Sequence, residues 1–247
     1  MTFRTDGIVI REQMSGEQDR LVTVLTREKG VIKAFVNGAR NPKSKNVAAT
    51  GLLCYSDFSI EKTKKDVYVI KEATAKEVFF SLRENIINLS LAQYFAELTY
   101  ELGPREEDSS EFLSLILNAV YLVAQNKKDM RIIKSATELR LLCLSGYMPD
   151  LVACGECGCF ESDTMYFDLN SGELFCEECS LKGSLQKLSL STVSAMRFIC
   201  FSESKKIFSF SIPEEDLSDL SFVTEIYLRN ITSRKYKTLE FYKMMTS

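Results

Sequence analysis

Four cysteines in two short pairs are the residues of this chain best spaced for metal chemistry. Cys154-Gly155-Glu156-Cys157 is followed, after 18 residues, by Cys176-Glu177-Glu178-Cys179. Each pair can present two thiolates to one side of a tetrahedral ion, and the doubled spacing is typical of a four-cysteine zinc ribbon. We therefore predict one structural Zn²⁺ per chain. Its ligands would be Cys154, Cys157, Cys176 and Cys179. Such a site is closed to water, which indicates a role in folding.

Two other interpretations of these cysteines remain open at the level of sequence. Cys159 could pair with Cys157 and take the place of Cys154. The cysteines could also be buried or redox-active thiols that bind no metal. We favour Cys154 because it makes both pairs alike.

The chain contains no histidine. This removes the usual general base of serine and cysteine hydrolases, and most zinc hydrolases as well. A metalloenzyme would need an open metal position and a nearby general base. The sequence instead favours a protein that is not an enzyme and has no small-molecule substrate.

A run of cations near the amino end is the second constellation. The net charge of the chain is -3, yet residues 1–80 hold 14 basic side chains against 10 acidic ones, and 150–182 are strongly acidic. Basic groups beside aromatic rings are typical of surfaces that bind single-stranded nucleic acid. A merely soluble surface is the alternative. Between residues 20 and 45 the cations are Arg20, Arg27, Lys29, Lys33, Arg40, Lys43 and Lys45, with Phe35, Tyr55 and Phe58 as the candidate stacking rings.

Short β-rich runs separated by turn signals make up residues 3–79. We predict five strands, at 3–11, 20–26, 31–37, 52–60 and 67–79. A long polar connection follows the third strand, which favours a small closed barrel of the oligonucleotide/oligosaccharide-binding (OB) kind. An SH3-like barrel fits the strand count nearly as well.

Helical periodicity begins at Ser81, where a capping box with Glu84 predicts a helix start. Helices are predicted at 81–102, 108–125, 129–145, 188–201 and 217–246. The stretch 150–182 interrupts them and holds five of the eight cysteines. We predict an α+β multidomain fold. Its parts are an OB-fold β-barrel at 1–80, an α-helical domain at 81–149 and 183–247, and an inserted four-cysteine zinc-ribbon-like module at 150–182.

The amino terminus shows no basic segment followed by an apolar stretch and a cleavage site. No apolar run approaches the ~20 residues that a membrane helix requires. We expect a cytoplasmic protein with no membrane partner.

Several motifs resemble the RecO recombination mediator family. They are the run from Glu17 to Thr26 with Gly30, the basic segment Asn37-Gly38-Ala39-Arg40-Asn41-Pro42-Lys43-Ser44-Lys45, and the four cysteines flanked by helices. The ending, Leu228-Arg229-Asn230 with Ser233-Arg234-Lys235, is also similar to that family. The resemblance covers nearly the whole chain.

The resemblance implies an OB domain, a helical domain and a four-cysteine zinc site. It also implies a nucleoid-associated protein that binds single- and double-stranded DNA and anneals complementary strands. With RecR and the single-stranded-DNA-binding protein, such a protein loads RecA during gap repair. The implied DNA contacts are Arg20, Lys33, Arg40, Lys43 and Lys45, with Arg27 and Lys29 as further candidates at a hairpin tip.

One departure from the family pattern is the acidic overall charge, which favours a complex in which a second subunit helps to hold the strand. The alternative function is an RNA- or transcription-associated adaptor, because OB barrels and zinc ribbons recur in such proteins and a fold does not fix a function.

Overall fold

The computed structural model describes residues 1–16, 18–39, 46–180 and 185–246. By internal contacts the chain forms two units: Met1–Lys127 with Tyr236–Ser247, and Lys128–Lys235. Among the described residues, no helix is both long and apolar enough to cross a membrane. The sequence-based division into four segments stays a prediction.

Five strands of the first unit close into a barrel. They are β1 (Thr2–Ser15), β2 (Asp19–Thr26), β3 (Gly30–Val36), β4 (Tyr55–Lys62) and β5 (Tyr68–Glu77). Their order around the barrel is β1-β2-β3-β5-β4, and β4 returns to β1. Only the pairing of β3 with β5 is parallel. A short helix, α1 (Asn46–Ala49), lies between β3 and β4. This Greek-key arrangement confirms the predicted OB barrel over the SH3-like alternative.

Alternation along the strands fills the barrel, because successive side chains point to opposite faces. On β2 the interior residues are Val22 and Val24, and on β3 they are Ile32, Ala34 and Val36. In β1 the run from Ile8 to Ile10 is buried throughout, because the helices Ile86–Leu102 and Ser110–Gln125 pack against this strand.

The predicted fourth strand began too early. Leu53 adopts a left-handed backbone with φ of 61°, and its N–H donates to the carbonyl oxygen of Val9 at 2.8 Å. This turn delays β4 until Tyr55. The sequence predicts a strand from residue 52 because the run from Leu52 to Cys54 is apolar, and Leu53 and Cys54 are indeed buried although they precede β4.

Three α-helices and one 3-10 helix complete the first unit. They are the 3-10 helix Phe80–Glu84, α2 (Ile86–Leu102), α3 (Ser110–Gln125) and, at the carboxyl end, α7 (Lys237–Thr246). The predicted capping box at Ser81 is wrong. The side chain of Asn85 caps α2, accepting the N–H groups of Ile87 and Asn88, while the Ser81 hydroxyl donates to the carbonyl oxygen of Ala124.

The second unit contains the remaining helices and a small sheet. The helices are α4 (Met130–Leu144), α5 (Leu190–Phe201) and α6 (Glu214–Thr232), and the strands are β6 (Asp150–Cys154), β7 (Thr164–Phe167), β8 (Glu173–Cys176) and β9 (Gln186–Ser189). The sheet order is β6-β8-β7-β9. A buried ion pair joins α4 to α6. The Lys134 Nζ lies 2.9 Å from Glu138 Oε1 and 3.1 Å from Glu225 Oε2.

Two predicted helices differ from the structure at their ends. Residues 188 and 189 belong to β9, which pairs with β7, and Ser189 then caps α5 by accepting the N–H of Thr192. The predicted helix at 217–246 is two helices, because Ser233 adopts φ of 53° and ends α6. After this break α7 packs on α2, where the Thr238 hydroxyl donates to Glu97 Oε2 at 2.5 Å.

Candidate metal centre and nucleic-acid interface

The two Cys-x-x-Cys pairs form matching turns at the ends of two neighbouring strands. Cys154 ends β6 and Cys176 ends β8. In the first turn, the Gly158 N–H returns to the Cys154 carbonyl oxygen at 2.9 Å, with a left-handed φ of 73° at Gly158. In the second, the Cys179 N–H donates to the Cys176 carbonyl oxygen at 3.1 Å. These turns bring the second cysteine of each pair back towards the first.

The four sulfur atoms of Cys154, Cys157, Cys176 and Cys179 converge. All lie within 4.8 Å of one another, and the Cys157 and Cys176 sulfurs are 3.6 Å apart. A tetrahedral ion with metal–sulfur bonds of about 2.3 Å separates its ligands by about 3.8 Å. The cluster therefore has the spacing to hold a metal ion. Cys159 lies outside it, with its thiol donating to the Glu161 carbonyl oxygen at 3.2 Å.

Electrostatics at the cluster suit a bound cation. Burial raises the pKa of Cys154, but backbone N–H groups of Cys157, Cys176 and Glu156 point at its sulfur and lower the pKa to about 6. The pKa of Cys179 is raised, chiefly by the adjacent Cys176 thiol. A cation at the centre would stabilise all four thiolates, because coordination deprotonates thiols.

Arg197 of α5 fastens the first turn, and sequence reasoning did not single it out. Its Nε donates to the Leu151 carbonyl oxygen at 2.7 Å, and its Nη2 to that of Phe160 at 2.7 Å. The guanidinium also lies 4.3 Å from the Phe160 ring centroid. Arg197 is 37 or more residues from these partners in sequence, so no local sequence pattern predicts the contact.

Carboxylates crowd the outside of this module. Its exposed acidic side chains are Asp150, Glu156, Glu161, Asp163, Glu173, Glu177 and Glu178. A phosphate backbone would be repelled by such a surface. Nucleic-acid contacts are therefore better sought on the barrel.

Two of the cations predicted to contact DNA are engaged within the barrel. Arg27 donates to both carboxylate oxygens of Asp6, at 2.7 and 2.6 Å. Arg20 lies 3.2 Å from Glu12 and has a side chain only 16% exposed. Both charges are balanced locally, and their DNA contacts stay predictions.

The other five predicted cations divide into two groups. Lys33 projects from β3 as an exposed side chain, and Lys29 is half-buried at the β2–β3 hairpin. Arg40, Lys43 and Lys45 lie outside the described residues.

The candidate stacking rings are largely unavailable to bases. Phe58 is 2% exposed and belongs to the barrel core. The Tyr55 hydroxyl donates to Asp6 Oδ2 at 2.5 Å. Phe35 is half-buried on β3. The interpretation of Phe58 as a stacking ring is wrong, because its alternation along β4 places it inside the barrel.

Tyr100, near the end of α2, gathers three cations that sequence reasoning did not group. The Arg11 Cζ lies 5.2 Å from its ring centroid, the Lys33 Nζ 5.8 Å and the Arg105 Cζ 5.6 Å. Only Lys33 was among the predicted contacts. Arg11 and Arg105 are distant in sequence, so their meeting depends on the packing of α2 against the barrel.

Both halves of the chain match models of one protein family. Residues 1–79 match the model described as "Recombination protein O N terminal", and residues 83–240 match "Recombination protein O C terminal". The chain belongs to the recombination protein O family. The resemblance seen in the sequence is thereby confirmed, and with it membership of a DNA repair protein family.

Relatives with the name DNA repair protein RecO match over most of the chain. The DNA repair protein RecO of Acetivibrio thermocellus is 34% identical over 98% of this chain and 97% of the relative. That of Alkaliphilus metalliredigens is 29% identical over 84% of each. The RecO of Desulforamulus reducens is 27% identical over 97% of this chain and 93% of the relative.

Proposed function

We propose that this chain is a non-enzymatic recombination mediator that binds single- and double-stranded DNA and anneals complementary strands. With RecR, it helps to load RecA onto DNA covered by the single-stranded-DNA-binding protein. The observation that carries the proposal is an OB barrel in a chain whose two halves match the recombination protein O models. The nucleoid in the cytoplasm is where this role would be exercised.

The proposed mechanism is physical. Cations on the barrel neutralise two phosphate backbones at once, which lowers their mutual repulsion and lets complementary bases meet. The proposed contact residues are Arg20, Arg27, Lys29, Lys33, Arg40, Lys43 and Lys45. Such contacts carry little sequence information, as annealing of any complementary pair requires.

We also propose that the metal is Zn²⁺, one ion per chain. Four thiolates with no histidine or carboxylate among them form a closed, soft ligand set that suits zinc. Cys154, Cys157, Cys176 and Cys179 would hold the ion, which would stabilise the turns that carry them.

Charge reversal tests the DNA contacts. Changing Arg40, Lys43 and Lys45 together to glutamate should weaken binding of a labelled single strand, measured by fluorescence anisotropy. The slope of log affinity against log salt should fall by about 2 if three phosphate contacts are lost. Thermal stability should change little.

A matched control reverses Lys64, Lys65 and Lys127, three exposed lysines of the same unit. Equal loss of affinity in both triple variants would contradict the assigned contacts.

A competition assay distinguishes the proposed DNA-binding function from the alternative, an RNA- or transcription-associated adaptor. Tighter binding of RNA than of DNA of the same sequence would favour the adaptor.

A further inference from the structure

Three exposed cations surround one half-buried ring on the first unit. Arg11, Lys33 and Arg105 each lie within 5.8 Å of the Tyr100 ring centroid. Each of these contacts is attractive, because the face of an aromatic ring carries negative charge density. The ring thus holds three positive charges together on the protein surface.

The strands and a connecting segment position these cations. Arg11 of β1 and Lys33 of β3 are both register partners of Thr23, in the middle of β2. Arg105 follows α2 in a segment that pairs with the β2–β3 hairpin, where the Val31 N–H donates to the Pro104 carbonyl oxygen at 2.8 Å. The cluster therefore borders strands 2 and 3, the face with which OB folds bind oligonucleotides.

No carboxylate among the described residues forms an ion pair with Arg11, Lys33 or Arg105. Two nearby acids in the sequence have other partners. Glu12 binds Arg20 at 3.2 Å, and Glu106 accepts the Tyr68 hydroxyl at 2.8 Å.

The positive potential of the cluster acts on the ring itself. The pKa of Tyr100 is lowered, first by Lys33 and then by the charges of Arg11 and Arg105, although burial opposes the shift. Screening in physiological salt extends over ~8 Å, so three like charges this close to one point repel one another. An anion bound among them would relieve that repulsion.

We propose that Arg11, Lys33 and Arg105, held on the ring of Tyr100, form a contact site for the phosphates of a single DNA strand that crosses β1–β3. The inference rests on the proposed DNA-binding function and adds Arg11, Arg105 and Tyr100 to it. Guanidinium groups suit the site because each can donate two parallel hydrogen bonds to one phosphate.

A nucleic-acid strand fits this site better than an acidic peptide does. The cluster lies beside the strands of the OB binding face, and the chain that leaves β3 enters the basic run containing Arg40, Lys43 and Lys45. A phosphate backbone offers a regular series of anions, one for each of the three clustered cations. An acidic peptide is the competing occupant in the test.

The test compares three double variants with the unmodified protein. Arg11→Gln with Arg105→Gln should weaken binding of a labelled thymidine 30-mer about tenfold and reduce the salt slope by about 1.4, the value for two single-strand phosphate contacts. Lys64→Gln with Lys65→Gln removes the same charge from the exposed β4–β5 hairpin and should change affinity less than about twofold. Arg11→Lys with Arg105→Lys should keep the salt slope, because it keeps the charge.

The outcomes are distinguishable. If the wild type does not bind the 30-mer, the proposed function fails. If the wild type binds and the two glutamine variants lose affinity equally, this site is overturned while the proposed function stands. If the Arg11 and Arg105 variant loses binding of a labelled aspartate-rich peptide but keeps DNA affinity, a DNA strand is the wrong occupant. Thermal unfolding of each variant checks that the fold is intact.

Discussion

Asp6 neutralises Arg27, one of the cations that the sequence predicts to contact DNA. It accepts two hydrogen bonds from Arg27 and one from Tyr55, and its side chain is 13% exposed. The hydrogen bond from Arg27 is the largest influence and, despite burial, lowers the pKa of Asp6 to about 2. The pair ties the start of β1 to the end of β2. The Asp6–Arg27 pair therefore stabilises the fold, and it leaves Arg27 less available to a phosphate.

Asp6→Asn should destabilise the first unit by on the order of 2 kcal/mol at pH 7. The folded pKa lies below the ordinary value of 3.8, so the stabilisation is fully present above pH about 4 and disappears as pH falls towards 2. Urea unfolding should thus show a difference between variant and wild type at pH 7 that becomes much smaller, without vanishing, at pH 2.5.

Asp57→Asn is the control for Asp6. Asp57 also pairs with a cation, Lys76 at 3.0 Å, but its side chain is 59% exposed. Exposed pairs contribute little, so this variant should unfold close to wild type at both pH values. A difference between Asp6→Asn and wild type that is as large at pH 2.5 as at pH 7 would assign the effect to packing instead of charge.

At the scale of elements, the β2–β3 hairpin and the segment after α2 depend on a close approach of two backbones. Gly30 has φ of 62°, and a Cβ there would lie 2.1 Å from the Pro104 carbonyl oxygen. An isolated antiparallel bridge joins Gly30 to Arg105. This contact positions Arg105 beside the barrel strands.

Gly30→Ala should therefore destabilise the protein by about 3 kcal/mol, from the left-handed backbone and the forced separation together. Gly16→Ala is the matched variant, since Gly16 has φ of 68° with nothing within 4 Å of its Cβ position. It should cost only about 1 kcal/mol. Equal costs in urea unfolding would show that the contact with Pro104 is not close in solution.

At the scale of the whole molecule, the metal centre belongs to one of two units. The four cysteines lie within Lys128–Lys235, whereas the barrel lies in the other unit. Because the cluster and the barrel belong to different units, loss of metal should loosen the unit that contains the cluster and leave the barrel ordered.

Cys176→Ser should abolish metal binding, because three thiolates no longer close the site. Amide hydrogen exchange should rise in β6, β7 and β8 and remain unchanged in β1–β5, while protease resistance of the module falls. Cys159→Ser should retain the metal and native exchange, because Cys159 lies outside the cluster. Metal loss in both variants, or in neither, would contradict the four-cysteine assignment.

The sequence alone determined what depends on neighbours along the chain. The two Cys-x-x-Cys turns, the alternation of β2 and β3, and the end of α2 at Leu102 follow from local spacing and local backbone preference. The family could be recognised because its motifs are short, contiguous runs. Even the choice of Cys154 over Cys159 followed from the equal spacing of the two pairs.

Tertiary structure decided what depends on contacts between distant segments. The parallel pairing of β3 with β5 distinguishes the OB barrel from other five-stranded barrels. The sequences of these two strands do not predict that pairing. Asp6 neutralises Arg27, and Tyr100 gathers Arg11, Lys33 and Arg105, only because separate elements pack together. Charge is readable from the sequence, but whether a cation is paired depends on which carboxylate the fold brings within reach.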